Sequence, residues 1–312
     1  MDEHGIRELI EQVRRGRLAR RSFIGHLAAF GVAAPMASLL LANAGIAQTA
    51  APLPAYKPGR RGGGGLLKML MTQGVVHLNP HLASGRKDAE ASRIFYEPLA
   101  SYDAEGNLWP VLAAEIPSRA NGGVAADGRS VTWKLKRGVT WHDGQPFTSD
   151  DVVFNWEYCR DPRSGAVNVS SYREDRVQRV EKLDSHTVRV VFAQPTPYWA
   201  EQFTGVLGEI LPKHVFGGYT GAKSREAPSN HRPVGTGPYR IVDFKPGDVI
   251  RAELNPNYHM PTRPHFDAIE VASGIEAVNA ARAVLQTGDY DYAWGTVIDD
   301  ELLKRMERGG KG

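Results

Sequence analysis

Segments with strand periodicity and segments with helix signals alternate along residues 66–308, and this mixture restricts the fold more than any other feature. Residues 130–135 alternate polar and apolar side chains, which predicts a half-buried strand. The segment Thr148-Ser-Asp-Asp151 has the spacing of a capping box, which predicts that a helix begins there. Because both hairpins and strand–helix–strand units are expected, the sequence predicts an α/β protein with a mixed sheet.

The other elements are predicted from apolar periodicity and from the Gly, Pro, Asn and Asp residues that bound them. We expect further strands at 66–71, 177–183, 186–192, 239–244, 249–254, 266–272 and 289–295. We expect helices at 88–99, from 148 to about Asp161-Pro162, at 275–286 and at 299–308.

The N-terminal residues have the organisation of an export signal. A basic cluster from Arg14 to Arg21 precedes Phe23–Leu41, which has almost no charged residue, and small residues follow up to Ala47. This order of basic, apolar and small residues is typical of a signal peptide. We therefore interpret residues 1–47 as an export signal peptide that is cleaved after Ala47, with Ala44 as the alternative.

The export route and the next segment are predicted from local sequence. The tripeptide Arg20-Arg21-Ser22 with Phe23-Ile24 resembles a twin-arginine signal, although Ala19 and Gly25 depart from it, and the general secretory route stays open. Residues 48–65 are rich in Pro and Gly and are predicted to be an extended linker. The run Gly62–Gly65 lacks the Gly-Lys-Ser/Thr ending of a phosphate loop.

Charge and cysteine content limit the class of protein. The chain has 38 Lys and Arg against 35 Asp and Glu, a net charge of +3, without a basic stripe, so we expect no nucleic-acid partner. Its one cysteine, Cys159, cannot form an internal disulfide. Because it lies in mid-chain it cannot be the lipid-modified cysteine of a lipoprotein, and we predict a buried, inert thiol.

No residue pattern indicates catalysis or a metal site. His142-Asp143-Gly144 is interpreted as a turn at a strand end, and Gly235-Thr-Gly-Pro-Tyr239 lacks a nucleophile elbow. We expect the two glycines of the latter segment to adopt unusual backbone dihedral angles. Pro80 separates His77 from His81, and two prolines lie between His259 and His265, so packed or solvated histidines are favoured over a metal site. We predict no cofactor, and the protein is predicted not to be an enzyme.

Eight short motifs in a fixed order carry a resemblance to a known family. They are Leu78-Asn-Pro-His81, Ile94-Phe-Tyr-Glu-Pro-Leu99, Leu108-Trp-Pro-Val-Leu-Ala-Ala-Glu115, Val131-Thr-Trp-Lys-Leu-Lys-Arg-Gly-Val-Thr-Trp-His-Asp-Gly144, Pro146-Phe-Thr-Ser-Asp-Asp-Val-Val-Phe154, Pro233-Val-Gly-Thr-Gly-Pro-Tyr239, Asn255-Pro-Asn-Tyr258 and Gln286-Thr-Gly-Asp-Tyr-Asp291. With them, residues 66–312 resemble the family 5, peptide/nickel-type extracellular solute-binding proteins of ABC transporters.

The resemblance implies a fold of two lobes that close on a ligand, of the periplasmic-binding-protein-like type II. Hinge closure of this kind is a general device of such proteins. Residues 66–312 then correspond to lobe one, and the resemblance implies that lobe two and the C-terminal return of lobe one lie outside this sequence. A fragment, a frameshifted gene product and a truncated record are alternatives that the sequence leaves open.

The resemblance also implies a function. We expect a periplasmic, monomeric substrate-binding component of an ABC importer that binds peptides or related small solutes between lobes and delivers them to permease subunits in the inner membrane. Sugars, opines and metal chelates stay open as ligands. By family position, the ligand-binding residues of this half are Gln73, Gly74, Val75, His77, Tyr96, Glu97, Trp294 and Gly295. Two roles stay open for Trp294: its ring could be a surface on which the ligand packs, or it could belong to the hydrophobic core.

Other classes of protein predict different behaviour. A secreted peptide-binding or chaperone-like module, or a non-functional truncated fragment, is the main alternative to the importer component. A secreted hydrolase would require a nucleophile, a base and an orienting group, and the sequence shows no such set. A membrane-anchored interaction module would require that Phe23–Leu41 is retained, although this stretch is weakly hydrophobic.

Overall fold

A computed structural model describes residues 3–30, 37, 40–41, 44, 59–103, 105–308 and 310. The chain divides into two compact units. The first, which we call the antiparallel unit, comprises residues 1–57, 98–136 and 171–208. The second, which we call the five-stranded unit, comprises residues 58–97, 137–170 and 209–312. The predicted cleavage position after Ala47 and residues 48–58 of the predicted linker lie outside the described residues.

Two helices lie within residues 3–30, and the described residues 37, 40 and 41 are also helical. Helix α1 spans Glu3–Arg14 and helix α2 spans Arg20–Ala28. Gly16, with φ of 68°, lies in the turn that joins them. Within the described residues, no helix combines the length and the apolar character that a membrane crossing requires.

The antiparallel unit contains two small sheets. Strands β2 (Ala100–Tyr102) and β3 (Leu108–Pro110) form one pair. Strands β4 (Ser130–Lys134), β5 (Val177–Asp184) and β6 (Thr187–Phe192) form the other sheet in the order β4-β6-β5. The predicted alternation in β4 is confirmed, because Val131 and Trp133 are fully buried. Helix α5 (Val169–Tyr172) begins at the boundary of this unit.

The five-stranded unit is built on a mixed sheet in the order β10-β1-β9-β8-β7. Its strands are β1 (Leu66–Met71), β7 (Tyr239–Lys245), β8 (Val249–Leu254), β9 (Ala268–Ser273) and β10 (Tyr292–Trp294). Strand β1 pairs in parallel with both β9 and β10, whereas β8 pairs antiparallel with β7 and β9. The mixed sheet predicted from the sequence is thus confirmed.

The helices of this unit are α3 (Arg86–Ser92), α4 (Ser149–Arg160), α6 (Lys213–Phe216), α7 (Ala277–Leu285) and α8 (Asp300–Arg308). At the start of α4 the Asp150 N–H donates to the Thr148 hydroxyl over 3.3 Å, and the Thr148 N–H donates to the Asp151 carboxylate over 2.9 Å. The predicted capping box is therefore confirmed. Cys159 in the same helix is fully buried, and burial raises the pKa of its thiol.

Helix α3 is shorter than the sequence predicts. Apolar spacing predicted a helix over 88–99, but α3 ends at Ser92. The carbonyl of Phe95 instead accepts the Gly237 N–H over 2.8 Å, and the carbonyl of Glu97 accepts the Ile210 N–H over 3.0 Å. The Tyr96 N–H still donates to the Ser92 carbonyl over 2.9 Å, but the carbonyls of Phe95 and Glu97 accept from distant segments. The predicted C-terminal part of this helix is therefore wrong.

The glycine run before β1 is held by a carboxylate. The N–H groups of Gly63 and Gly65 donate to the two carboxylate oxygens of Asp267 over 2.8 and 2.9 Å. These two hydrogen bonds lower the pKa of Asp267. Nearby, the Arg61 guanidinium donates to the carbonyls of Pro256 and Tyr258. Residues 59–65 therefore pack as part of the five-stranded unit.

Candidate functional site

The carboxyl ends of three parallel strands meet at one edge of the five-stranded sheet, which we call the carboxyl edge. β1 ends at Met71, and the register pairs Met71 with Ser273 of β9 and with Trp294 of β10. In open α/β sheets, ligands bind in the crevice outside the carboxyl ends of the strands. The carboxyl edge and the loops that leave it therefore form the candidate binding site.

Hydrogen bonds through Ser273 fix the loops at one side of this edge. The Val75 N–H donates to the Ser273 hydroxyl over 3.2 Å, and that hydroxyl donates to the carbonyl of Asp248 over 3.3 Å. The Gly247 N–H donates to the carbonyl of Val75 over 2.6 Å. The segment after β1, the turn between β7 and β8 and the end of β9 are thereby tied together.

The loops after β1 and β10 are joined at the other side of the edge. The Thr72 N–H donates to the Trp294 carbonyl over 3.3 Å, and the Thr72 hydroxyl donates to the Gly295 carbonyl over 3.2 Å. Gly295 has φ of 80°, and a Cβ atom there would lie 2.7 Å from the Thr72 Oγ1, so glycine is required. On the same loops the side chains of Val76 and Val297 are 38% and 92% exposed.

Trp294 lines an apolar groove of about 500 Å³ on one face of the sheet. Met71 lies at the end of β1 and Leu67 near its start, so the groove extends along the strand toward the carboxyl edge. Its other lining residues are Met69, Glu90, Ala91, Ile94, Val271 and Tyr292. Methionine side chains adapt their shape to varied apolar groups, so this wall suits an apolar occupant of variable form.

His77 lies in a histidine stack beside the loop that leaves β1. Its ring packs against that of His231, with centroids 5.2 Å apart, and the His231 ring lies 5.9 Å from that of Phe244. The backbone N–H of His77 donates to the carboxylate of Asp88 over 3.3 Å. Burial lowers the pKa of His77, and the neighbouring His231 lowers it further, so the ring is neutral at neutral pH.

Glu97 is the centre of a buried hydrogen-bond network. Its carboxylate accepts from the Tyr258 hydroxyl over 2.7 Å and from the Thr236 hydroxyl over 2.9 Å. The His259 Nε2 lies 3.0 Å from the same carboxylate. Burial raises the pKa of Tyr258, and the adjacent Glu97 charge adds to that rise. The network anchors the segments 233–239 and 255–259 to the residues after α3.

His142 forms hydrogen bonds with the glycine segment that follows Pro233. Its Nδ1 accepts the Gly235 N–H over 3.1 Å, so Nε2 carries the proton that is donated to the Gly237 carbonyl, also over 3.1 Å. Asp143 instead contacts His214 over 2.7 Å. The two adjacent side chains serve different partners, as expected for a turn rather than a catalytic dyad.

The same glycines correct one prediction. Neither Gly235 nor Gly237 has a positive φ angle. A Cβ atom at Gly237 would lie 2.6 Å from the carbonyl oxygen of Phe95, and one at Gly235 would overlap that oxygen. The predicted unusual dihedral angles are therefore wrong, and the residues are glycine because two stretches of backbone approach closely.

Comparison with known proteins places this chain in a family. The profile of the bacterial extracellular solute-binding proteins, family 5 (middle region), matches residues 107–309, about two thirds of the chain. The chain belongs to this family. The resemblance predicted from the eight motifs is confirmed.

Family 5 relatives differ in the ligands that their names record. Di/tripeptide-binding protein 2 of Pseudomonas aeruginosa is 30% identical over 191 residues, which cover 56% of this chain and 36% of the relative. The oligopeptide-binding protein AppA of Bacillus subtilis, solved with a nonapeptide, matches with a TM-score of 0.69 at 24% identity and covers 81% of this chain and 47% of AppA. NikZ of Campylobacter jejuni, solved with Ni(L-His), matches with a TM-score of 0.65 at 24% identity. The match covers 78% of this chain and 45% of NikZ.

The two solved structures confirm the predicted fold class. Their similarity shows that the part of this chain they cover adopts an α/β, periplasmic-binding-protein-like type II fold with a mixed sheet. The chain spans less than half the length of the relatives named above. The family and these relatives are binding proteins rather than enzymes.

The predicted ligand-binding residues of this family 5 chain fall into two groups. Gln73, Gly74, Val75, His77, Trp294 and Gly295 lie at the carboxyl edge or on the loops that leave it. Of these, Gln73 is exposed, whereas Val75 is fully buried and both of its backbone groups are hydrogen-bonded within the protein.

Tyr96 and Glu97 form the second group and are buried away from solvent. Burial raises the pKa of Tyr96. The hydrogen bonds of Glu97 run to the segments 233–239 and 255–259 rather than to the carboxyl edge. Their contacts suit the positioning of loops more than direct contact with a ligand.

Sequence reasoning missed the residues that join the loops, namely Thr72, Gly247, Asp248 and Ser273. A short polar residue at the end of a buried strand is the one sequence signal that could have indicated Ser273. Among the described residues, no three His, Cys, Asp or Glu side chains gather as metal ligands.

Proposed function

We propose that this chain carries one ligand-binding lobe of the substrate-binding component of an ABC importer. The observation that carries the proposal is the carboxyl edge, where three parallel strands end and hydrogen-bonded loops present an accessible surface in a family of solute-binding proteins. In this proposal the component delivers its ligand to permease subunits in the inner membrane and acts as a monomer without catalytic activity.

Peptides are the proposed ligands, because relatives that bind di-, tri- and nonapeptides share the fold and the family. We assign ligand contact to the side chains of Gln73, His77 and Trp294 and to the backbone of Gly74 and Gly295. An extended peptide can pair its main chain with exposed backbone groups, which gives affinity with tolerance of side chains. Val75, Tyr96 and Glu97 hold the loops that present these contacts.

The domain organisation is proposed on the sequence pattern. Residues 1–47 act as a cleaved export signal of twin-arginine type, and residues 66–312 supply lobe one. Residues 48–65 join the two, and their last part, residues 59–65, packs on the five-stranded unit. The mature protein would then be periplasmic. N-terminal sequencing of the exported protein tests this assignment, since a mature chain that begins near Gln48 is expected and a retained Phe23–Leu41 segment would contradict it.

Calorimetric titration of residues 48–312 with di-, tri- and nonapeptides tests ligand binding. Binding of peptides is expected, and Trp294→Ala should weaken it by about tenfold, which corresponds to the loss of about 1.4 kcal/mol of apolar contact. Leu66→Ala is the matched control, because Leu66 is 50% exposed at the other end of β1. Absence of any peptide binding, or equal effects of the two substitutions, would contradict the proposal.

A further inference from the structure

The N-terminal segment buries several of its own apolar residues, although Phe30 in the same stretch is 59% exposed. Phe23, Leu27, Ala37 and Leu41 all have no solvent exposure, although each belongs to the stretch that the sequence identifies as the apolar part of an export signal. An apolar stretch that must enter a membrane or a receptor is expected to be accessible. Other residues of this chain therefore cover these four side chains.

Helix α1 supplies the cover. Ile6, Leu9, Ile10 and Val13 pack against the buried cluster, and their spacing places all four on one face of the helix. The opposite face carries exposed charged residues such as Glu8. Residues 3–14 are thus an amphipathic helix whose apolar face is already occupied within the same chain.

Polar contacts add to this apolar packing. The Arg14 guanidinium donates to the carbonyl of Ala44 over 2.7 Å. Arg14 and Arg15 both donate to the Glu11 carboxylate, over 2.8 and 2.9 Å. The Ala44 carbonyl belongs to the peptide bond at the alternative cleavage position, so the helix contacts both the apolar stretch and a bond that processing would break.

Helix α2 depends on this arrangement. It has nine residues, and isolated helices shorter than about 12 residues are marginal in water. Its stability in a folded segment therefore comes from packing against α1 and the residues near Leu41. Loss of the α1 contacts is expected to release α2 and the apolar stretch together.

We propose that α1 is an intramolecular cover for the apolar export segment, and that the cover must open before this segment can enter a lipid surface. The inference rests on the export role proposed for residues 1–47. It goes further because it assigns a task to residues 3–14, of which all but Arg14 precede the basic and apolar parts of the signal.

Vesicle flotation of the full chain tests the cover. The probe is neutral phosphatidylcholine vesicles, so that charge attraction does not contribute. The double variant Leu9→Gln/Ile10→Gln keeps good helix formers but removes the two central residues of the apolar face. Its partition into vesicles should rise by about tenfold or more over the unmodified chain, because buried side chains such as Phe23 and Leu27 become available to lipid in addition to the exposed Phe30.

Glu8→Gln is the matched control on the exposed face of the same helix and should leave the partition unchanged. Equal partition of the double variant and the unmodified chain would overturn the proposal, as would an equal rise in the control.

Amide hydrogen exchange supplies a second readout that does not depend on lipid. The Phe23 N–H donates to the Ala19 carbonyl over 3.0 Å. Its exchange should be slowed in the unmodified chain and fast in the double variant. Exchange at the unprotected rate in the unmodified chain would overturn the cover. If residues 1–47 are instead retained in the mature protein while both readouts behave as expected, the export role fails and the cover stands.

Discussion

Acidification is expected to destabilise the five-stranded unit through the buried imidazole of His81. This side chain has no solvent exposure. Its Nε2 donates to the Asn155 Oδ1 over 3.0 Å, and its Nδ1 accepts from the Asn168 Nδ2 over 3.1 Å. The contact at Nδ1 requires the neutral ring, because a protonated Nδ1 cannot accept, and burial lowers the pKa of His81 from 6.5 to about 4.

The sign and the size of the effect follow from that pKa. Between pH 6.5 and about 4 the unfolded chain binds a proton at His81 that the folded chain does not. The free energy of unfolding therefore falls as the pH drops below about 6.5, and the loss is complete below about 4. The pKa difference corresponds to about 3 kcal/mol in total, of which about 2 kcal/mol is lost by about pH 5.

Urea unfolding of residues 48–312, followed by tryptophan fluorescence between about pH 7 and about pH 4.5, measures this loss. His81→Gln retains an amide donor for Asn155 but cannot titrate. Burial also lowers the pKa values of His77 and His142. These two residues therefore contribute to the pH dependence of the unfolding free energy in the unmodified protein as well. The quantity of interest is therefore the difference in pH dependence between the unmodified protein and His81→Gln.

Leu82→Ala is the control for a general loss of stability. Leu82 is buried beside His81 and does not titrate, so its replacement lowers stability at every pH while the pH dependence is kept. The reasoning is refuted if His81→Gln and the unmodified protein lose the same free energy between pH 7 and pH 5, or if Leu82→Ala flattens the curve as much as His81→Gln does.

Three further substitutions test contacts that the structure assigns. Thr148→Ala removes the cap of α4 and should lower the free energy of unfolding by about 1 kcal/mol in urea titration, whereas Thr148→Ser should restore most of it. Gly237→Ala places a Cβ atom against the Phe95 carbonyl and should cost about 2 kcal/mol or more, seen as a lower urea midpoint; an unchanged midpoint would contradict the close approach. Glu97→Ala leaves the buried Tyr258 hydroxyl without its acceptor and should lower the free energy of unfolding by about 3 kcal/mol. Glu97→Gln should cause a much smaller loss of stability in thermal unfolding.

The sequence determined those features whose signals are local. The strand alternation at 130–135, the hairpin over 239–254 and the capping box at Thr148 all appear in the structure where the residues predict them. Each depends on neighbours within a few residues, because side-chain period and cap geometry are properties of a short backbone segment. The order of the eight motifs also indicated the family to which the chain belongs.

The tertiary structure decided the features that join distant segments. The helix predicted over 88–99 ends at Ser92 and is not continued to residue 99, where the carbonyls of Phe95 and Glu97 accept from Gly237 and Ile210 instead. Glu97 meets His259 across 162 residues, and Val75 meets Ser273 across 198 residues. Nothing in the local sequence of either partner specifies the other, because such contacts depend on how the strands are ordered in the sheet. The carboxyl edge is therefore a product of that strand order, whereas its individual strands were readable from the sequence.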